Sequence, residues 1–136
     1  QTLIIKKTPN MKKIITTPNA PAPIGPYNQA VLSNGVLYMS GQIPFDPVTM
    51  ELVEGDLVKE TIQVMENLKA VLEAAEMSFE NVVKTSIFLS DMNNFVEVNE
   101  VYAKYFNDDT APARETVEVA NLPKFVRIEI SMTAVV

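Results

Sequence analysis

Phe125 to Val136, the last stretch of the chain, limits what it can fold into more than any other. Val126, Ile128, Ile130, Met132 and Ala134 alternate there with Arg127, Glu129, Ser131 and Thr133. Successive side chains of a strand point to opposite sides, so a period of two predicts a strand with one apolar and one polar face. The apolar set needs a covering layer, and the sequence carries one. Leu57 to Glu76 reads as an amphipathic helix. Val58, Ile62, Met65, Leu68, Leu72 and Ala75 recur in it at helical spacing, with Lys59, Glu60, Gln63, Glu66, Lys69 and Glu73 largely opposite. A second helix is predicted over Met92 to Phe106, with Asp91 as its N-cap and Phe95, Val98, Tyr102, Tyr105 and Phe106 as its core stripe.

The remaining strands follow from β-branched runs and turn signals. Lys13 to Thr17 is a plausible first strand. Asn28 to Leu32 and Val36 to Gln42 flank Ser33-Asn34-Gly35, and Asn-Gly tolerates the positive φ angles of a tight hairpin. Val82 to Leu89 is apolar on both faces and is expected in the middle of a sheet. Arg114 to Val119 is a short strand in which Arg114, Thr116 and Glu118 share one side and Val117 and Val119 the other. Together these elements predict an α+β domain: a sheet with two helices on one face and a partly polar opposite face, suited to water or to self-association. One domain over residues 11–136 accounts for the pattern. Met11-Lys12-Lys13 looks like a translation start, so residues 1–10 read as an appended or unusual extension.

Composition narrows the chemistry. The chain has no cysteine and no histidine, so thiol nucleophiles, disulfides and the commonest zinc ligands are absent. Any catalysis falls to carboxylates, Arg, Lys, Tyr, hydroxyls, backbone groups and water. A net charge of -6 argues against a nucleic-acid partner, which needs clustered Lys and Arg. Charges or prolines interrupt every apolar run, so no membrane span is expected, and a cytoplasmic location is the default expectation.

Few residues carry candidate chemistry. Arg114 is a planar, permanently charged fork between Pro112 and Pro123, with the Thr116 hydroxyl two residues on, and suits a small carboxylate. The alternative is an arginine in a surface ion pair. Glu129 would position a water if its strand approaches that of Arg114, within a chain or across subunits; the alternative is a structural partner for Arg127 or Lys124. Hydrolysis of an electrophilic C=N bond needs orientation, proton transfer and charge complementarity, and no histidine. Four prolines from Pro18 to Pro26 stiffen a loop that delivers Tyr27, the alternative being a crossing loop with Tyr27 packed at its end, and Ser40-Gly41 ends a strand where a glycine permits close approach or marks a bulge. Asp108-Asp109 reads as a solvated turn rather than a metal site, and no phosphate loop or nucleophile-elbow serine is present.

The segments APAPIGPYNQAV, LYMSGQIPFDP, NLKAVLEAAE, VVKTSIFLSDMNNF, VNEVYAKYF and APARETVEVANLPK resemble the YjgF/Rid family, the reactive intermediate deaminases, in order and spacing from about Lys12 onward. The resemblance implies a chorismate-mutase-like α+β fold and a homotrimer whose polar sheet faces meet in a barrel, with ligand clefts between subunits. It also implies cofactor-free, metal-free hydrolysis of 2-imino acids and their enamine tautomers, such as 2-aminoacrylate, to 2-keto acids and ammonia. By the same resemblance Arg114 grips the substrate carboxylate and Glu129 orders the attacking water, while Tyr27, Ser40, Gly41 and Asn99 match cleft positions. Thr116 stands where many members carry a cysteine, keeping a hydrogen-bonding group at the cleft without the thiol. Met50 and Glu76 stand where turn glycines are common, so those two turns are expected to adopt other geometry. Two further roles claimed within the family stay open: a non-catalytic trimeric carboxylate-binding regulator, and a ribonuclease or translation inhibitor.

Overall fold

The computed structural model describes residues 12–136; the extension at 1–10 lies outside them. Six strands form one sheet: β1 (Lys13–Ile15), β2 (Ala30–Ser33), β3 (Val36–Met39), β4 (Val82–Leu89), β5 (Ala113–Glu118) and β6 (Ile128–Val135). Their order across it is β1-β2-β3-β6-β4-β5, antiparallel except for the β4–β5 pair. The last strand is therefore inserted in the middle, pairing β3 on one side and β4 on the other. Its alternation is as the sequence requires: Ile128, Ile130, Met132 and Ala134 are buried, while Glu129, Ser131 and Thr133 face the open side. Two helices, α1 (Leu57–Ala74) and α2 (Phe95–Ala103), cover the apolar face, giving an α+β fold.

The core is the seam between α1 and the strands, where Met65, Leu68, Leu72, Leu37, Ile87, Leu89, Ile128 and Ile130 are fully buried. Each such side chain contributes about 1.5–3 kcal/mol by leaving water. The buried stripe of α1 is rotated from its expected position. Val64, Val71, Thr61 and Glu60 face the core, whereas Ile62 is exposed and Val58 only partly covered. The reason lies in polar partners that spacing does not reveal. Both Glu60 carboxylate oxygens accept from Arg127, at 3.0 and 2.7 Å, and the Thr61 hydroxyl donates to the Leu57 carbonyl at 2.8 Å. Buried Glu60 is thus neutralised by a forked ion pair rather than solvated.

Several boundaries shift for similar local reasons. β1 stops at Ile15 and β2 starts at Ala30, because the backbone of Thr17 binds the Gln29 side chain instead of a neighbouring strand. The Asn34-Gly35 turn has φ of 52° and 79°, the doubly positive hairpin geometry expected of that pair. Asp91 caps a single 3-10 turn, Met92–Asn94, before α2 begins at Phe95 and ends at Ala103, short of Phe106. Tyr105 and Phe106 still pack against the core through edge-on contacts with Phe79.

The turns at Met50 and Glu76 keep left-handed geometry despite lacking glycine, with φ of 58° and 60°, contrary to the expectation that they would change. At Glu76 the reason is the closure of α1. Glu76 N–H donates to Glu73 O and Met77 N–H to Leu72 O, both at 2.9 Å, and buried Met77 lies beside buried Leu72. That paired helix stop requires a left-handed residue between them.

Candidate functional site

A cavity of about 470 Å³ opens beside the start of β6 and is lined by Tyr27, Ser40, Gly41 and Glu129 among others. Glu129 reaches it because it points away from the helices, opposite buried Ile128 and Ile130. Gln42 locks the neighbouring segment in place: its N–H donates to the Ile130 carbonyl at 2.8 Å, and Ile130 N–H returns the bond at 3.1 Å. Gly41 therefore lies directly over the carboxyl group. A Cβ at position 41 would stand 2.9 Å from the Glu129 carboxyl carbon and closer still to Oε2. Only a glycine leaves that space.

Burial raises the Glu129 pKa, and no opposing charge pulls it back. Arg127, the structural partner considered for it from the sequence, is committed to Glu60. Among the described residues neither Arg127 nor Lys124 forms an ion pair with Glu129. A half-buried, unpaired carboxylate of raised pKa is suited to accepting and returning a proton.

The wall opposite is built by the proline-rich loop, and here Gln29 does the positioning. Its side chain is 2% exposed; Nε2 lies 3.0, 3.1 and 2.9 Å from the carbonyls of Thr17, Ala20 and Pro21, and Oε1 accepts from Thr17 N–H at 2.7 Å. The loop thus folds around one buried amide, which brings Tyr27 to the cavity. Ser40 ties the same loop to β3, its hydroxyl donating to the Asn28 carbonyl at 2.5 Å. Asn67 of α1 fixes a third wall by donating to the carbonyls of Phe45 at 2.9 Å and Ile43 at 3.3 Å. Sequence reasoning missed Gln29 and Asn67. The signal for Asn67 is an amide inside an apolar helix stripe; for Gln29 there is only its place after the proline run.

Arg114 lies elsewhere in the chain. Its strand register sets it beside Thr85, on the helix side of the sheet, with Thr116 beside Ile87. Nη1 donates to Asn99 Oδ1 of α2 at 2.7 Å, and the guanidinium carbon sits 4.9 Å from the Tyr102 ring centre and 5.6 Å from that of Phe95. Those rings and that amide hold the fork in one orientation, leaving other N–H donors at an exposed edge. Thr116 Oγ1 is buried without a hydrogen-bond partner. Val117 faces the open side instead, so the polar side of β5 is the one turned toward α2.

Within one chain, then, Tyr27, Ser40, Gly41 and Glu129 are brought together, and so are Arg114, Asn99 and Thr116. The two groups do not meet. β4 separates β5 from β6, and Arg114 and Glu129 point to opposite faces of the sheet. Direct approach of their strands, one of the two arrangements considered from the sequence, does not occur.

Fold and cavity define a small α+β protein with a ligand-sized site beside the central strand. Residues 17–136 match the family model described as Endoribonuclease L-PSP, and the chain belongs to this family, the RutC/YjgF–Rid group. It is 53% identical over 124 residues to a RutC family protein of Pyrococcus horikoshii, covering 91% of this chain and 98% of that one. It is 47% identical over 125 residues to the 2-iminobutanoate/2-iminopropanoate deaminase of Mus musculus, covering 92% of each. The crystal structure of Escherichia coli TdcF with bound serine superposes with a TM-score of 0.85 at 41% identity, covering 91% of this chain and 98% of that one.

Among the described residues no helix is long and apolar enough to cross a membrane.

Proposed function

We propose that the protein is a cofactor-free hydrolase that converts reactive 2-imino acids and their enamine tautomers to 2-keto acids and ammonia. The observation that carries this reading is the unpaired, half-buried Glu129 carboxylate under Gly41. The similarity to the mouse imine deaminase supports it. Water adds to C2 of the C=N bond as Glu129 takes its proton. The imine nitrogen takes that proton to give a carbinolamine, Glu129 then relays the hydroxyl proton to the nitrogen, and the C–N bond breaks as the C=O bond forms and ammonia leaves. Imino acid and water become keto acid and ammonia, with no oxidant or reductant.

Arg114 supplies the carboxylate grip in this reading, from a second copy of the chain. The proposed assembly is a homotrimer in which open sheet faces meet and each cleft combines the Glu129 cavity of one copy with the Arg114, Asn99 and Thr116 group of another. Ile14, Tyr38 and Val117 support this arrangement, since they leave apolar surface on the open face at 42%, 55% and 40% exposure. The test is clearance of 2-aminoacrylate generated by a PLP-dependent dehydratase. The native protein should accelerate it, and Arg114→Ala or Arg114→Lys should abolish the added rate. An unchanged rate in either variant removes Arg114 from the site. Binding of a 2-keto acid without any acceleration would make the protein a carboxylate-binding regulator instead.

A further inference from the structure

We propose that Lys124 is the charge that admits an anionic substrate to the Glu129 cavity; this rests on the carboxylate-substrate reading above. The problem it answers is electrostatic. A chain of net charge -6 repels a small carboxylate, and the cavity already holds Glu129. Among the described residues that line it, Lys124 is the one cation. Two other cations of the sheet region are taken up in ion pairs, Lys84 with Glu115 and Arg127 with Glu60, and neither lines the cavity. Lys124 forms no ion pair with the described residues, and its ammonium sits 5.9 Å from the centre of the Phe45 ring, which also lines the cavity.

The backbone supplies a second, independent observation. Lys124 and Phe125 are consecutive non-glycine residues at φ 56°, in the left-handed region that L side chains avoid. Conformations of that kind persist where the surroundings enforce them, often at ligand clamps. Here Pro123 precedes the kink, Lys124 is turned to the cavity, and Phe125 is left 81% exposed. The turn thus places a cation at the cavity against both backbone preference and the burial of an aromatic ring.

Lys124 acts on arrival and binding, not on the chemical step. A unit charge about 6 Å from an anion in water-like surroundings raises the local anion concentration about threefold. Lys124→Gln should therefore lower kcat/KM about threefold and Lys124→Glu about tenfold at low salt, through KM, with kcat unchanged. Lys124→Arg should retain the native value. The differences should collapse at 1 M salt, where screening acts over about 3 Å. Binding of a 2-keto acid and of its uncharged amide is measured in the same variants. Lys124 effects on the acid alone support the proposal even if no turnover is found, which separates it from the deaminase reading. Equal effects on acid and amide, a change confined to kcat, or salt-independent losses would overturn it.

Discussion

Gly41→Ala probes the cavity with a single methyl group. The added Cβ would lie 2.9 Å from the Glu129 carboxyl carbon and nearer to Oε2, whereas ordinary van der Waals contact begins near 3.4 Å. Something must move, and the flexible carboxylate gives way more readily than segment 40–42, which is held by the paired Gln42 and Ile130 bonds. Overpacking of this kind costs about 1–3 kcal/mol of stability, so the variant should fold. Displacing a catalytic group by about 1 Å costs on the order of a hundredfold in rate. The expected result is a kcat about a hundredfold lower with KM little changed. Because the methyl acts through Glu129, Gly41→Ala added to Glu129→Gln should cost almost nothing more. Imine clearance by the native protein, both single variants and the double variant completes the cycle. Additive losses, or a Gly41→Ala variant of native kcat, would refute the claim that this glycine exists to make room for the carboxylate.

Other consequences concern stability. Glu76→Gly should stabilise the chain by about 0.5–1 kcal/mol, because the left-handed penalty of about 1–2 kcal/mol outweighs the extra entropy glycine loses on folding. The thermal midpoint should then rise about 2–4 °C, and Met50→Gly should behave alike; a fall in either would mean the side chain makes contacts that outweigh the strain. Burial holds the Glu129 pKa above its ordinary 4.5, so the folded chain binds more protons than the unfolded one between that value and the raised one. Stability contributed at this position is lost as pH rises through that window. Denaturant midpoints across it should show Glu129→Gln gaining on the native protein with rising pH, and a pH-independent difference would remove burial as the cause.

The Asn34-Gly35 turn and the alternation of β6 were legible because each depends on local geometry: two residues that accept positive φ, and a period of two. The helix stripe was only partly legible. Spacing located α1, but the side that was buried depended on where Arg127 arrived to neutralise Glu60, a partner 67 positions away. The turn at Glu76 misled for the same reason, since the hydrogen bonds closing the helix and the Met77 burial outweigh the residue's own preference, while the turn at Met50 is closed by backbone bonds from Met50 to Asp46 and from Asp46 to Glu51. Gln29 and Asn67 were invisible as cavity builders. An amide says nothing in sequence about which carbonyls it will find.

What the residues settled unaided was the kind of fold and a limit on the chemistry: periodicity dictates strands and helices, and the absence of histidine and cysteine leaves any catalysis to carboxylates, Arg, Lys, Tyr, hydroxyls, backbone groups and water. What required three dimensions was the division of the candidate site. Strand order interposes β4 between β5 and β6, and the pleat turns Arg114 toward the helices and Glu129 away from them. Side-chain direction in a sheet is fixed by register with neighbouring strands, and register is set by long-range pairing that a linear pattern does not contain.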